Sequence, residues 1–238
     1  AEVEYKDHTS NTIYASFEIK KTEKDFLKNG HVIIWTTTPW TIPVNRALAY
    51  SSKIKYSVIQ IDKDTEHFNN RNIIIASELI GRVSEECNFK DFEILKEFNG
   101  SDFKNTICSH PLKNIGFDYD VPMLEGDFVT LEQGTGVVHS APSSGPDDFN
   151  LCLKHGIKAS NIMNDAGVYS NEIPYFSGMH IFKADSKVIE KLSEQKNLLG
   201  NGKLQHSFPH SWRSKAPLVY RATSQWFISM EKRDLRKK

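Results

Sequence analysis

Apolar and polar positions along the chain follow two periods. Residues 13–19, Ile-Tyr-Ala-Ser-Phe-Glu-Ile, alternate apolar with polar, the two-residue period of a half-buried strand. Residues 31–35, 56–61 and 72–76 are β-branched runs of the kind found in buried strands, and 127–131 and 136–139 read the same way. Asn, Asp, Gly and Pro cluster between them as turn chemistry. The helical period is rarer. Residues 76–83 form one short candidate. Residues 147–155 are better marked: Pro146 suits a first helical turn, acidic residues follow it, and Gly156 stands where a left-handed C-cap is expected. The longest candidate is 184–199, with Val188, Ile189, Leu192, Leu198 and Leu199 on one face and Gly200 to stop it. Many strands at irregular spacing and few helices predict an α+β domain, a β-barrel-like core with peripheral helices. No repeat period is visible.

The texture changes near His206. Residues 206–213 and 220–230 are rich in aromatics and arginine, which suggests a domain over 1–205 and an exit segment over 206–238. A final pair of strands closing the same domain is the alternative reading. The length, 238 residues, fits one large domain or two small ones. Aromatics at 11% and charged residues at 25% argue against extended disorder. No apolar run approaches the roughly 18 residues that cross a bilayer, so no membrane partner is expected. The opening Ala1-Glu-Val-Glu-Tyr5 has no signal-peptide pattern and no initiator Met, which suggests an excised segment. A net charge of +0 disfavours a protein held to nucleic acid by counterion release alone, although residues 230–238 are locally basic, most simply as a solvated tail. Cys87, Cys108 and Cys152 are odd in number and far apart, so they read as small apolar residues in a reducing compartment, with no disulfide or zinc knuckle.

Two segments are candidates for chemistry. The first is Trp35-Thr-Thr-Thr-Pro-Trp-Thr-Ile-Pro-Val-Asn45. Pro39 cannot join a sheet ladder and holds Thr38 extended, so the strand should end there with threonine hydroxyls presented to a cleft. A plain β-branched strand terminus explains the same composition. The second is Gly134-Thr-Gly-Val-Val-His-Ser-Ala-Pro-Ser-Ser-Gly-Pro-Asp-Asp-Phe149. Glycines allow close backbone approach, a short strand delivers His139, and a helix headed by Asp147 and Asp148 follows. Carboxylates there either complement the helix dipole or form one wall of a pocket opposite the imidazole. A dinucleotide fingerprint, a phosphate loop and a nucleophile elbow are excluded by spacing. His206 and His210 have zinc-like spacing without a cysteine pair, so no metal site is expected.

Together these segments resemble the inserted editing domain, connective peptide 1, of isoleucyl-tRNA synthetases. Residues 36–47 are similar to the family's threonine-rich peptide, and residues 134–149 to its Gly-Thr-Gly-x-Val-His-x-Ala-Pro…Asp-Asp-Tyr segment. The opening residues 1–5 and the exit His210-Ser-Trp-Arg213…Tyr220-Arg-Ala-Thr-Ser-Gln-Trp-Phe227 also match, so the resemblance spans nearly the whole chain. The valyl and leucyl relatives resemble the pattern Thr-Thr-Arg-Pro, and the valyl enzyme has Lys where His139 stands. The exit resembles bacterial or organellar members. Two positions depart from the pattern: Ser144 where a His is common, and Phe149 where Tyr is usual. The nucleotide-activating signatures of the parent enzyme appear nowhere, so this segment alone should not activate isoleucine.

The resemblance implies a function with a clear physical motive. Isoleucine and valine differ by one methylene, worth about 1–3 kcal/mol in a hydrophobic pocket, a range for which the isoleucyl enzyme is itself the familiar example. A second site that admits valine, rejects isoleucine and hydrolyses what it admits would correct the error. The resemblance assigns Asp148 to the α-ammonium of the aminoacyl ester, a charge-assisted contact. It assigns Thr38 and His139 to the wall that stops a longer side chain. Thr36, Thr37, Thr38, Asn45 and the backbone of Gly134, Thr135, Gly136, Val137 and Val138 are expected to hold the terminal adenosine and a water, with Trp35 either assisting or simply buried. His139 is either general base or shape element. The expected partners are the 3′ end of the isoleucine tRNA carrying valine and the rest of the synthetase in cis. The segment itself should be a monomer needing no cofactor, with ATP and Mg belonging to the parent enzyme. The compartment is the cytoplasm, or else an organellar matrix. Rival classes are a tRNA-docking or structural insertion without hydrolysis, supported by Ser144 and Phe149, and a metal-dependent β-barrel hydrolase, for which no ligand set can be assembled.

Overall fold

The computed structural model describes residues 3–61 and 71–237; the first two residues of the opening motif and the last of the basic tail lie outside them. Strand β1, Val3–Lys21, organises the fold. It is followed by β2 (Gly30–Thr36), β3 (Ala47–Tyr50), β4 (Lys55–Ile61) and β5 (Asn72–Ala76), then helix α1 (Ile80–Glu86). Strands β6 (Phe92–Asn99), β7 (Ile107–Ser109), β8 (Asp120–Glu125) and β9 (Val138–Ser140) come next. Helices α2 (Pro146–Lys154) and α3 (Ile181–Glu194) and strand β10 (Leu198–Ser211) complete the regular structure.

The sheet order is β6-β4-β5-β2-β1-β7-β8-β3-β9, with β10 paired to β1 off this path. The α+β class holds, but the barrel-like core expected from the strand count is corrected: the path runs from β6 to β9 and does not close. Most pairs are antiparallel; β2 with β5 and β3 with β8 are parallel. Strand β1 is long enough to serve three partners, β10 along Val3–Ala15, β2 along Ile13–Glu18, and β7 at Ile19 and Lys21. Its middle, residues 13–15, therefore has a strand on each edge. Ile13, Ala15 and Phe17 are buried, and so are Tyr14 and Ser16, which the alternation placed on a solvent face. Burial of these polar groups is tolerated because each is satisfied: Tyr14 donates to Glu86 Oε2 at 2.7 Å and Ser16 to Asn197 Oδ1 at 3.1 Å.

Two further expectations change. Residues 127–131 form a turn and bend and not a strand; Val129 is buried, but no backbone among the described residues pairs with it as a strand. Helix α3 starts at Ile181 and ends at Glu194, before the expected limit. Lys196 takes the left-handed conformation (φ 56°) and the Asn197 N–H closes on the Leu192 carbonyl at 2.8 Å, a six-residue C-capping bond made without glycine. Leu198, Leu199 and Gly200 belong to β10, where a bulge lies opposite Tyr14 and Ala15. Space at Gly200 is tight: a Cβ would lie 3.1 Å from Cys87 Sγ. The division expected at residues 205 and 206 falls inside β10, and His206 pairs with His8 across the ribbon. All three cysteines are buried, and burial raises their thiol pKa values, that of Cys87 to about 12.

Candidate active site

The threonine-rich segment leaves β2 as expected. The strand ends at Thr36, and a 3₁₀ turn over Pro39–Val44 follows, with Thr38 as its N-terminal flanking residue. The turn presses the threonine hydroxyls into one chain of hydrogen bonds. Thr36 Oγ1 and Thr38 Oγ1 are 3.2 Å apart, Thr38 Oγ1 and Thr41 Oγ1 are 3.2 Å apart, and Thr41 Oγ1 lies 2.7 Å from His139 Nε2. Asn45 Nδ2 stands 3.0 Å from His139 Nδ1.

The directions of these bonds follow from the donors available. Asn45 donates one amide hydrogen to the Ala47 carbonyl at 2.9 Å and the other to His139 Nδ1. The imidazole proton therefore sits on Nε2 and is given to Thr41 Oγ1. Thr41 in turn donates its hydroxyl to the Thr38 carbonyl at 2.7 Å. Both imidazole nitrogens are occupied. The ring is buried, and desolvation lowers its pKa to about 4, so it is neutral near pH 7. Asn45 Oδ1 remains a buried acceptor without a partner among the described residues.

Asp148 joins this group from the other side of the second motif. It stands in the first turn of α2, where Gly145 is the N-cap and Pro146 opens the helix, and Gly156 is left-handed (φ 75°) just past its C-cap. Asp148 Oδ2 accepts the Ala141 N–H at 3.2 Å, two residues beyond His139 on the chain leaving β9. Burial raises the Asp148 pKa to about 6; the Ala141 N–H works against that rise and the charge of Asp147 adds to it. Strand β9 is itself fixed by pairing His139 with Leu48 of β3, and the Arg46 N–H closes on the Ser140 carbonyl at 2.9 Å.

The glycine segment is placed differently. Gly134 and Gly136 are both left-handed, at φ 79° and 76°, and a Cβ on Gly136 would fall 2.4 Å from Ala76 Cβ. Its polar groups are spent on the fold. The Thr135 hydroxyl donates to the Ile33 carbonyl at 2.6 Å, the Thr135 carbonyl accepts from the Ala76 N–H, and the Gly136 carbonyl accepts from Tyr56 Oη at 2.7 Å. Val137 is core and Val138 is half-buried. Trp35 is half-buried and, with Gly134, Arg82 and Lys203, lines a cleft of about 440 Å³. Thr37 and Thr38 line a different cavity of about 240 Å³, whose walls include Trp40 and Asp185 but not Asp148. The structure thus joins Thr36, Thr38, His139 and Asn45 through Thr41 in one chain of hydrogen bonds, ties Asp148 to the backbone two residues past His139, and leaves Trp35 and Gly134 at a separate cleft.

Three participants escaped the sequence reading. Thr41 lay inside the first motif but was not singled out, although it stands one turn after Thr38. Tyr119, whose hydroxyl donates to the Asn45 carbonyl at 2.7 Å and whose ring lies 4.8 Å from the Arg46 guanidinium carbon, carried no local signal. Asp185 did carry one: an acidic residue three positions before Val188 and seven before Leu192, within the apolar stripe of α3. Of the two departures, Phe149 is exposed, whereas Ser144 Oγ is buried without a partner among the described residues.

No protein-family model matches the chain. It is 60% identical over 238 residues to the isoleucine–tRNA ligase of Pelagibacter ubique, covering all of this chain and 26% of that enzyme. It is 42% identical over 247 residues to that of Gluconobacter oxydans, covering 97% of this chain and 26% of the relative. Among solved structures, a crystal structure of GlLeuRS-CP1 superimposes with a TM-score of 0.61 at 14% identity, covering 79% of this chain and 97% of that one. The chain spans about a quarter of the length of the curated relatives it matches. Along its whole length it therefore belongs to the isoleucine–tRNA ligases, as a segment with the fold of a synthetase CP1 domain.

Proposed function

We propose that the segment edits: it hydrolyses the ester of valine mischarged on the isoleucine tRNA and spares the isoleucyl ester. The observation that carries this reading is the continuous framework from Thr36 through Thr38, Thr41 and His139 to Asn45, with the Asp148 carboxyl bonded to the same strand exit. Asp148 receives the α-ammonium of the aminoacyl group. Thr38 and His139 form the wall. A wall built from side chains that bond one another is stiff, which a sieve based on a single methylene requires. His139 is a shape element in this scheme, because neither ring nitrogen has a free lone pair to take a proton. Hydrolysis then depends on positioning water at an ester that is already activated. The Trp35–Gly134 cleft, lined by Arg82 and Lys203 together with Glu86 and Glu132, offers an aromatic face to the terminal adenosine. No cofactor enters this scheme; ATP and Mg serve the parent enzyme's activating centre, which acts in cis in the cytoplasm.

The test is to present valyl and isoleucyl esters of the isoleucine tRNA to the 238-residue chain at matched concentration. Preferential loss of the valyl ester is expected. Equal rates on both would overturn the sieve, and binding of the tRNA without hydrolysis of either would favour a docking insertion.

A further inference from the structure

Asp185 is remote from both motifs in sequence yet enters their framework. Its Oδ1 accepts the Trp40 N–H at 2.8 Å, and its Oδ2 receives Asn11 Nδ2 at 3.4 Å. The Tyr169 hydroxyl donates to the carbonyl of the same tryptophan. Trp40 is thus gripped at its backbone N–H and at its carbonyl by two side chains from the C-terminal half of the chain. With Pro39 it separates Thr38 from Thr41, whose hydroxyls bond each other and whose backbone closes the turn through the Thr41 N–H and Thr38 carbonyl at 2.8 Å. Asp185 and Trp40 also share the walls of the cavity that Thr37 and Thr38 face.

A carboxyl in the apolar stripe of a buried helix face is an expensive way to hold a turn. Desolvation penalises it enough to raise its pKa to about 6, and a neutral acceptor would satisfy the same N–H. What a carboxylate adds is a shorter, stiffer, charge-assisted bond. Stiffness at Trp40 fixes how far Thr38 stands from the pocket, and through Thr41 it fixes the ring of His139.

We infer that Asp185 is a positioning residue that sets the selectivity of the site: with Tyr169 it clamps Trp40, and the clamp fixes the depth of the threonine wall and hence the size of side chain admitted. This inference rests on the editing reading above. Its test uses Asp185→Ala, Asp185→Asn and Tyr169→Phe in the same chain. One readout is hydrogen exchange of the Trp40 amide by NMR, and the other is the ratio of valyl to isoleucyl ester hydrolysis. In Asp185→Ala the Trp40 amide should exchange about 10- to 100-fold faster, as loss of a hydrogen bond to a charged group implies, and the ratio should fall by about tenfold or more. Asp185→Asn keeps an acceptor but loses the charge assistance, so both readouts should fall between those of Asp185→Ala and the unaltered chain. If Asp185→Ala frees the amide but leaves the ratio unchanged, or if Asp185→Asn keeps the amide protected yet loses the ratio, the inference is wrong. Should Asp185→Ala unfold, Tyr169→Phe decides: it severs only the carbonyl side and must still lower the ratio. If the unaltered chain hydrolyses neither ester, the editing reading fails and the selectivity role falls with it, while Trp40 exchange still reports whether the clamp exists.

Discussion

The Asp148 carboxyl sits half-buried in the first turn of α2, and burial raises its pKa from 3.8 to about 6 despite the bond from the Ala141 N–H. A carboxyl whose folded pKa is raised adds stability while it is protonated, below about pH 4, and that stability is lost as pH rises through about 6. At pH 7.5 the ionised group is therefore a net burden on the empty domain. Asp148→Asn, which keeps an acceptor for Ala141, should melt higher than the unaltered chain at pH 7.5 and at the same temperature at pH 4; a lower melting point at pH 7.5 would show the carboxylate to be structural. Its activity should move the opposite way. Truncating one member of a desolvated charge pair costs about 2–5 kcal/mol, so Asp148→Ala should lower kcat/KM for the valyl ester by roughly 30-fold to several thousand-fold. Asp147→Ala, at an exposed dipole position, should retain most activity. Normal editing by both variants would make Asp148 a cap alone. The kcat/KM of the unaltered chain should decline below about pH 6 as Asp148 protonates, with no contribution from His139, which stays neutral down to about pH 4.

Elements are set by local rules until a neighbour intervenes. Helix α2 was legible because each of its signals is local: Pro146 at the start, acidic residues in the first turn, Gly156 after the end. The C-terminus of α3 was not, because Leu198 and Leu199 fit the helical stripe equally well and only pairing with β1 draws them into β10. The two left-handed glycines around α2 and β9 separate backbone from packing effects. Gly156 has nothing within 4 Å of an added Cβ, so Gly156→Ala should cost only the left-handed penalty of roughly 1–2 kcal/mol. Gly136→Ala adds overpacking against Ala76, roughly 1–3 kcal/mol more, and also presses on the strand that carries His139. Denaturant melts should rank the two in that order; equal losses would mean that the Gly136 segment can move away from β5.

At the scale of the molecule, the first and last strands form one ribbon. Val3 pairs with Ser211 and His8 with His206, and the side chains of this stretch are mostly exposed. The core, by contrast, gathers around the middle of β1 and strands β2, β4 and β5. A chain ending at residue 205 should therefore retain its core, with Ile13 to Phe17 amides still protected, while Val3 to His8 amides exchange as in a free chain. Collapse of the whole fold on this truncation would make the ribbon integral to the domain.

Local composition by itself determined the strands of the core, helix α2, the end of β2 at the threonines, and the residue types gathered at the site, because β-branching, proline geometry and capping act over a few bonds. The family, too, is written in the sequence, in the threonine-rich and glycine–histidine motifs. Only the tertiary structure decided that the sheet stays open, that Tyr14 and Ser16 are buried, that residues 206–211 complete β10, and that His139 has no free nitrogen. It also brought Asp185 to Trp40 across 145 positions of chain. The physical reason is common to all of these: burial, register and hydrogen-bond satisfaction depend on which distant segment arrives as a neighbour, and that is a property of the packed molecule.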